Sequence, residues 1–328
     1  MTRRSRLVRS VFFALAAGGV ACSRADVYPV TRDSAPGSAG HDGGQSGGGG
    51  DGGDTAAGAG GGSSACPAQA LAPGDSVRTL LVDGTRRSYV LHVPPAYDGL
   101  RAVPLVVDFH GIGESGTSAL TSSPYPEHLD PEGVLMAFPD GLRGPAGTGW
   151  NVGPCCVANV DDVAFVRAVV ADVRELACID ASRVYAVGVL TGGGMAHYAA
   201  CHAADVFAAV APAAFDLLEE NVGACAPSRP ISVVSFRGTD NSRVPYEGGP
   251  SALVPGMPLT FLGAEATFEA WGAINGCSGS PSPADANGCS SYTGCAGGAE
   301  VVLCTKQGGG EEPGDPRIAW PVLSRHTL

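Results

Sequence analysis

The sequence predicts an α/β fold with a mostly parallel central sheet, on three observations. Short apolar runs rich in β-branched residues recur along the chain, apolar at consecutive positions as strands buried on both faces must be. Helix-spaced patterns alternate with them, which implies a sheet covered on both sides. From Cys66 to Leu328 there are roughly 260 residues, an ordinary size for one such domain.

Six strands are expected, at SYVLHVP (88–94), PLVVDFHG (104–111), GVLMAFPDG (133–141), RVYAVGV (183–189), PISVVSFRG (230–238) and AEVVLCT (299–305). Between them, VDDVAFVRAVVADVREL (160–176) places Val163, Phe165, Val166, Val169, Val170 and Val173 at helical spacing. Its acidic start suits a helix N-terminus. A second helix is expected over GGMAHYAACHA and a third over AEATFEAWGAING, stopped at Asn275-Gly276; a last one is expected near the C-terminus, reaching His326.

Ahead of this domain the composition changes twice. MTRRSRLVRS followed by VFFALAAGGVA has the basic and apolar regions of a secretory signal (1–22), too short to span a bilayer. Small residues immediately before Cys22 predict a lipoprotein-type cleavage with Cys22 acylated; Gly19 replaces the leucine usual three places upstream, and simple secretion is the alternative. Residues 23–65 are Gly, Ser, Asp and Ala, too poor in apolar surface to fold, and read as a flexible tether. A secreted or cell-surface location follows, lipid-anchored to a bacterial envelope membrane if Cys22 is used. Any membrane contact would be through that anchor alone.

Net charge is −12, with no Lys/Arg cluster beyond the signal, which argues against nucleic acid. Of 11 cysteines, ten lie from Cys66 onward, an even number that points to disulfides in an exported chain. The adjacent Cys155-Cys156 has no partner motif with metal-ligand spacing. Connectivity is not legible, although the crowding of Cys277, Cys289, Cys295 and Cys304 predicts at least one local bridge. No metal or organic cofactor is implied.

VYAVGVLTGGGMAHYAAC (184–201) has the form strand, sharp glycine bend, helix. Gly188 and Gly192 flank the centre as in G-x-S-x-G, but the centre is Leu190. Taken alone, this is only a tight turn. Together with PLVVDFHGIGESG (104–116), TGWNVGPCC (148–156), RGTDNSRVPYEGG (237–249) and VVLCTKQGGGEEPGD (301–315), the chain resembles the secreted esterases of the polyhydroxybutyrate depolymerase and feruloyl esterase type. The resemblance implies an α/β-hydrolase fold and a Ser…Asp…His triad in that chain order. It places the three positions at Leu190, Asn241 and Glu311. None keeps its group, while the residues around each are kept.

The consequences are severe. Leucine has nothing to deprotonate or acylate. Asparagine carries no charge to balance an imidazolium. Loss of the nucleophile alone lowers serine-hydrolase turnover by about 10⁶, or about 8 kcal/mol of barrier. Thr191 is next to the missing serine, but its N–H is expected in the oxyanion hole, with donors near Gly111 and Ile112. Asp240 precedes Asn241, with no histidine to orient. His197, His202 and His326 read as core or surface residues, and His110 as support for the oxyanion loop. By resemblance, Trp150 and Tyr246 are expected to line the cleft; core packing is the alternative for both. Three functional readings stay open. One is an inactive family member binding an ester, polyester or feruloylated polysaccharide ligand. Another is an active carboxylic ester hydrolase with non-standard residues, for instance Glu311 as general base. The third is a structural surface protein whose cleft has no ligand.

Overall fold

The computed structural model describes residues 66–67 and 69–328, so the signal, Cys22 and the tether lie outside the described residues. The domain opens with a hairpin of β1 (Gly74–Val82) and β2 (Thr85–Val93), turned at Asp83-Gly84 with both residues at positive φ. Asp-Gly suits such a two-residue turn. Then come β3 (Val103–Phe109), α1 (Gly116–Ser122), α2 (Tyr125–Leu129), β4 (Leu135–Pro139) and a small hairpin, β5 (Leu142–Gly144) with β6 (Gly147–Gly149). The chain continues through α3 (Asp162–Leu176), β7 (Ile179–Val189), α4 (Thr191–His202), β8 (Ala209–Ala213), α5 (Glu219–Val222) and β9 (Ser232–Gly238). A second small hairpin, β10 (Gly249–Val254) with β11 (Met257–Phe261), precedes α6 (Ala264–Ile274), β12 (Cys289–Tyr292), β13 (Val301–Lys306) and α7 (Pro316–Leu323).

Nine strands form one sheet in the order β1-β2-β4-β3-β7-β8-β9-β13-β12. The block from β4 to β13 is parallel, and β1, β2 and β12 add antiparallel edges. Alternate residues face opposite layers. Leu105, Val107, Phe109, Ala186 and Val233 pack with Phe165 of α3, Met195 of α4 and Trp271 of α6. Val106, Val187, Ala211 and Val234 pack on the other face with Ala119 of α1, Tyr125 of α2 and Trp320 of α7. The expected α/β-hydrolase architecture is therefore present, with all six expected strands inside the sheet.

Three sheet strands lacked the expected signature. β8 reads Ala-Val-Ala-Pro-Ala, with one β-branched residue, yet all five residues are buried between β7 and β9. β1 is an edge strand with Val77 and Leu81 exposed, so its pattern carries little burial signal. β12 spans only four residues. The ten cysteines pair as Cys66–Cys178, Cys155–Cys156, Cys201–Cys225, Cys277–Cys295 and Cys289–Cys304. Two bridges staple the Cys277–Cys304 stretch, where at least one was expected. Arg87, itself buried, ties β2 to the start of α3 through Asp162 at 2.6 Å and lies 3.9 Å over the Phe165 ring.

Candidate active site

The carboxyl ends of β3 and β7 meet where open α/β sheets place their sites. Leu190 stands between β7 and α4 at φ 52°, ψ −124°, a backbone conformation that a β-carbon disfavours. Two contacts hold it there. Its N–H donates to Ala213 O at 3.0 Å, and its carbonyl accepts from Gly194 N–H at 3.0 Å. The flanking glycines are required for close approach: a β-carbon on Gly192 would fall 1.9 Å from Phe109 O, and one on Gly188 would fall 2.5 Å from the Gly192 backbone. The bend is thus a strand–helix elbow clamped from both sides, carrying a hydrocarbon side chain.

Thr191 opens α4, so its N–H has no partner one turn back in the helix. Its side chain is fully buried and Oγ1 makes no hydrogen bond, which removes it as a nucleophile facing a ligand. Across the cleft, Gly111 N–H is already taken by Glu114 Oε2 at 3.0 Å. Gly111 N–H is therefore occupied by protein in this structure and not free to meet a substrate oxygen. Ile112 N–H makes no hydrogen bond among the described residues. Leu190 leans toward this loop, its Cδ1 3.6 Å from where a Gly111 β-carbon would sit. His110 braces the loop: its Nε2 accepts Gly141 N–H at 2.8 Å, and its Nδ1 then donates to Gly111 O at 2.7 Å. Burial lowers its pKa, so the ring stays neutral.

Asn241 and Glu311, the positions expected from the sequence for the acid and the base, lie on neighbouring loops. Asp240 N–H donates to Gly309 O at 2.8 Å, and Gly308 N–H donates to Thr239 Oγ1 at 2.9 Å, pinning the 239–244 loop to the 308–311 loop. Asn241 is buried; its Oδ1 accepts the N–H groups of Arg243 (3.0 Å) and Val244 (2.9 Å), while Nδ2 has no partner. Arg237 supports this loop from inside, donating to Val244 O at 2.7 Å and to buried Asp216. Burial pushes Asp216 up to about 6 against the opposing pull of Arg237. Glu311 pairs with Arg243 at 3.2 Å and lines the same cavity as Leu190. Asp240 is exposed, with its carboxylate on Thr239.

Two expected cleft residues are placed elsewhere. Trp150 is fully buried behind β3, donating from Nε1 to His110 O at 2.9 Å and packing edge-on against Phe109. It supports the loop after β3 and does not line the cleft, because its large ring fills the layer beneath. Tyr246 lies half-buried over Arg237, its hydroxyl bonded to Thr305 Oγ1 at 2.7 Å and Glu265 at 3.2 Å. Among the histidines, His197 is buried and accepts Trp271 Nε1–H at 3.0 Å, and desolvation drives its pKa down to about 3. His202 packs on Tyr198. His326 lies beyond α7, which ends at Leu323, rather than on it, and faces Glu300 at 3.4 Å.

A cavity of about 210 Å³ opens beside Leu190, lined by Asp108, Glu114, Ser123, Tyr125 and Glu311 among others. Sequence reading missed four of these five. Asp108 is the penultimate residue of β3, on the face shared with Val106, and Ser123 Oγ–H donates to its Oδ2 at 2.6 Å. Burial pushes Asp108 up to about 7 despite that hydrogen bond. A carboxylate inside the otherwise apolar run PLVVDF was the available signal. The carboxylates of Glu114 and Glu311 in this cleft oppose any negative charge developing on a substrate oxygen, the reverse of what acyl transfer needs.

The comparisons agree with the fold. A feruloyl esterase B of Piromyces equi is 42% identical over 245 residues, covering 74% of this chain and 46% of its own length. Over that segment the chain is similar to a feruloyl esterase. The esterase NocK of Nocardia uniformis subsp. tsuyamanensis, described as putative, is 33% identical over 178 residues, covering 53% of this chain and 50% of its own. The chain thus spans about half the length of these two relatives. Among solved structures, an acetyl xylan esterase from Aspergillus awamori superposes with a TM-score of 0.57 at 15% identity, covering 76% of this chain and 98% of its own. A thermostable esterase gives 0.52 at 17%, covering 77% and 63%. At these identities the two structures speak for the fold. No protein-family model matches the chain.

Proposed function

We propose that this chain is a non-hydrolytic relative of the feruloyl esterases that keeps a cleft and binds an ester-bearing ligand there. The observation that carries the reading is Leu190: the elbow retains the strained φ 52°, ψ −124° backbone, with a side chain that cannot be acylated. Asn241 and Glu311, in place of acid and base, and the carboxylate on Gly111 N–H point the same way. In this reading residues 1–22 are an export signal, 23–65 a tether and 66–328 the binding domain, with acylation of Cys22 anchoring the chain to a bacterial envelope membrane. Five disulfides suit that oxidising location. A feruloyl or smaller ester is the ligand class that the relatives' names suggest, and the sequence resemblance adds feruloylated polysaccharide and polyester.

A second reading is an active ester hydrolase in which Glu311 activates water, favoured by its position on the same cavity as Leu190. Incubation of the purified chain with p-nitrophenyl acetate and methyl ferulate separates the two. The binder leaves both esters at the uncatalysed rate, and turnover at ordinary esterase rates would sink it. Calorimetric saturation by methyl ferulate without turnover is the positive result.

A further inference from the structure

We propose that the cavity beside Leu190 binds the primary ammonium group of a small cationic ligand. Asp108, Glu114 and Glu311 all line it, and no Lys or Arg does. Each carboxylate is only partly satisfied by protein. Asp108 uses Oδ2 for Ser123, Glu114 uses Oε2 for Gly111 N–H, and Glu311 uses Oε1 for Arg243. His110, the other titratable ring on this wall, is held neutral by its two backbone contacts.

A second, independent observation is Tyr125. It is 3% exposed, it lines the same cavity, and its hydroxyl has no hydrogen-bond partner. That hydroxyl sits 3.3 Å from where a Gly314 β-carbon would lie, and Gly314 is itself a cavity residue. A buried phenol left unbonded costs stability unless something supplies the missing bond. An ammonium group offers three N–H donors, and the wall presents matching acceptors in Asp108, the glutamates and the Tyr125 oxygen. Phe109, Ala119, Val189, Leu190 and Ala211 supply apolar wall for a short alkyl stem. About 210 Å³ holds one small molecule or one end of a larger one.

The cationic ligand deepens the binder reading, and rests on it only in taking this cleft as a binding site. A quaternary ammonium carries charge without N–H donors, and a neutral alcohol carries a hydroxyl without charge, so both separate the elements of recognition.

The test is calorimetric titration of the full chain at pH 8 and low salt with n-butylammonium, 1-butanol, tetramethylammonium and methyl ferulate. Saturable one-to-one binding of n-butylammonium is expected, with 1-butanol and tetramethylammonium weaker by about tenfold or more. Tyr125→Phe and Asp108→Asn should each weaken n-butylammonium by about tenfold. Both variants keep side-chain volume and remove a buried polar burden, and circular dichroism checks that they fold. Equal binding of 1-butanol and n-butylammonium overturns the inference, as does binding unchanged in both variants. Methyl ferulate binding without ammonium binding overturns it and leaves the binder reading standing. Ammonium binding without any ester binding does the reverse.

Discussion

Asp108→Asn should stabilise the protein increasingly as pH rises from about 4 to about 7. The carboxyl is 6% exposed, lies near the end of a central strand, and has one hydroxyl donor in Ser123. Burial raises its pKa from 3.8 to about 7. The folded state then binds a proton more tightly than the unfolded chain, so stability falls as pH rises between those values. The contribution is fully present below about pH 4 and lost as pH passes through about 7. A shift of about three units corresponds to ~4 kcal/mol, an order-of-magnitude figure. Asparagine keeps the acceptor for Ser123 and has no charge to desolvate. Urea unfolding of both proteins at pH 5, 6, 7 and 8 measures the difference directly, because other titrating groups cancel. The stability gap should open in favour of asparagine across that range, by several kcal/mol. A gap that stays constant, or narrows with rising pH, would refute a carboxyl held protonated by burial.

Two further perturbations probe the frame around the site. Gly192→Ala places a β-carbon 1.9 Å from Phe109 O, against backbone that cannot yield, so the elbow should lose at least about 3 kcal/mol or fail to fold, read by thermal unfolding. Arg237→Ala strips buried Asp216 of its cation and frees Val244 O, and should cost about 3–5 kcal/mol; Arg237→Ala with Asp216→Ala should recover part of that in the same assay.

The parallel sheet was legible because its strands are buried on both faces and carry unbroken apolar runs, as in PLVVDF and RVYAVGV. β8 was not, since Ala-Val-Ala-Pro-Ala owes its place to neighbours rather than to propensity. The elbow was legible from Gly188 and Gly192, whose missing side chains are demanded by backbone approach on both sides. Trp150 misled for the opposite reason. An aromatic beside a motif can face the cleft or prop it from behind, and only packing decides. The acidic wall was hidden because Asp108, Glu114 and Glu311 come from β3, the following loop and the 308–311 loop, and only the fold brings them to one cavity. Disulfide pairing depends on the same long-range approach, as Cys66 with Cys178 shows.

The central claim is that an intact esterase elbow carries no nucleophile. Restoring Leu190→Ser, Asn241→Asp and Glu311→His together, and comparing kcat/KM on p-nitrophenyl acetate with the unaltered chain, tests it most directly. The account predicts no measurable turnover before restoration and a rise toward about 10⁶-fold after it, tempered by the carboxylate of Glu114 at the oxyanion loop. An unaltered chain that already hydrolyses the ester as fast as the restored one would contradict it.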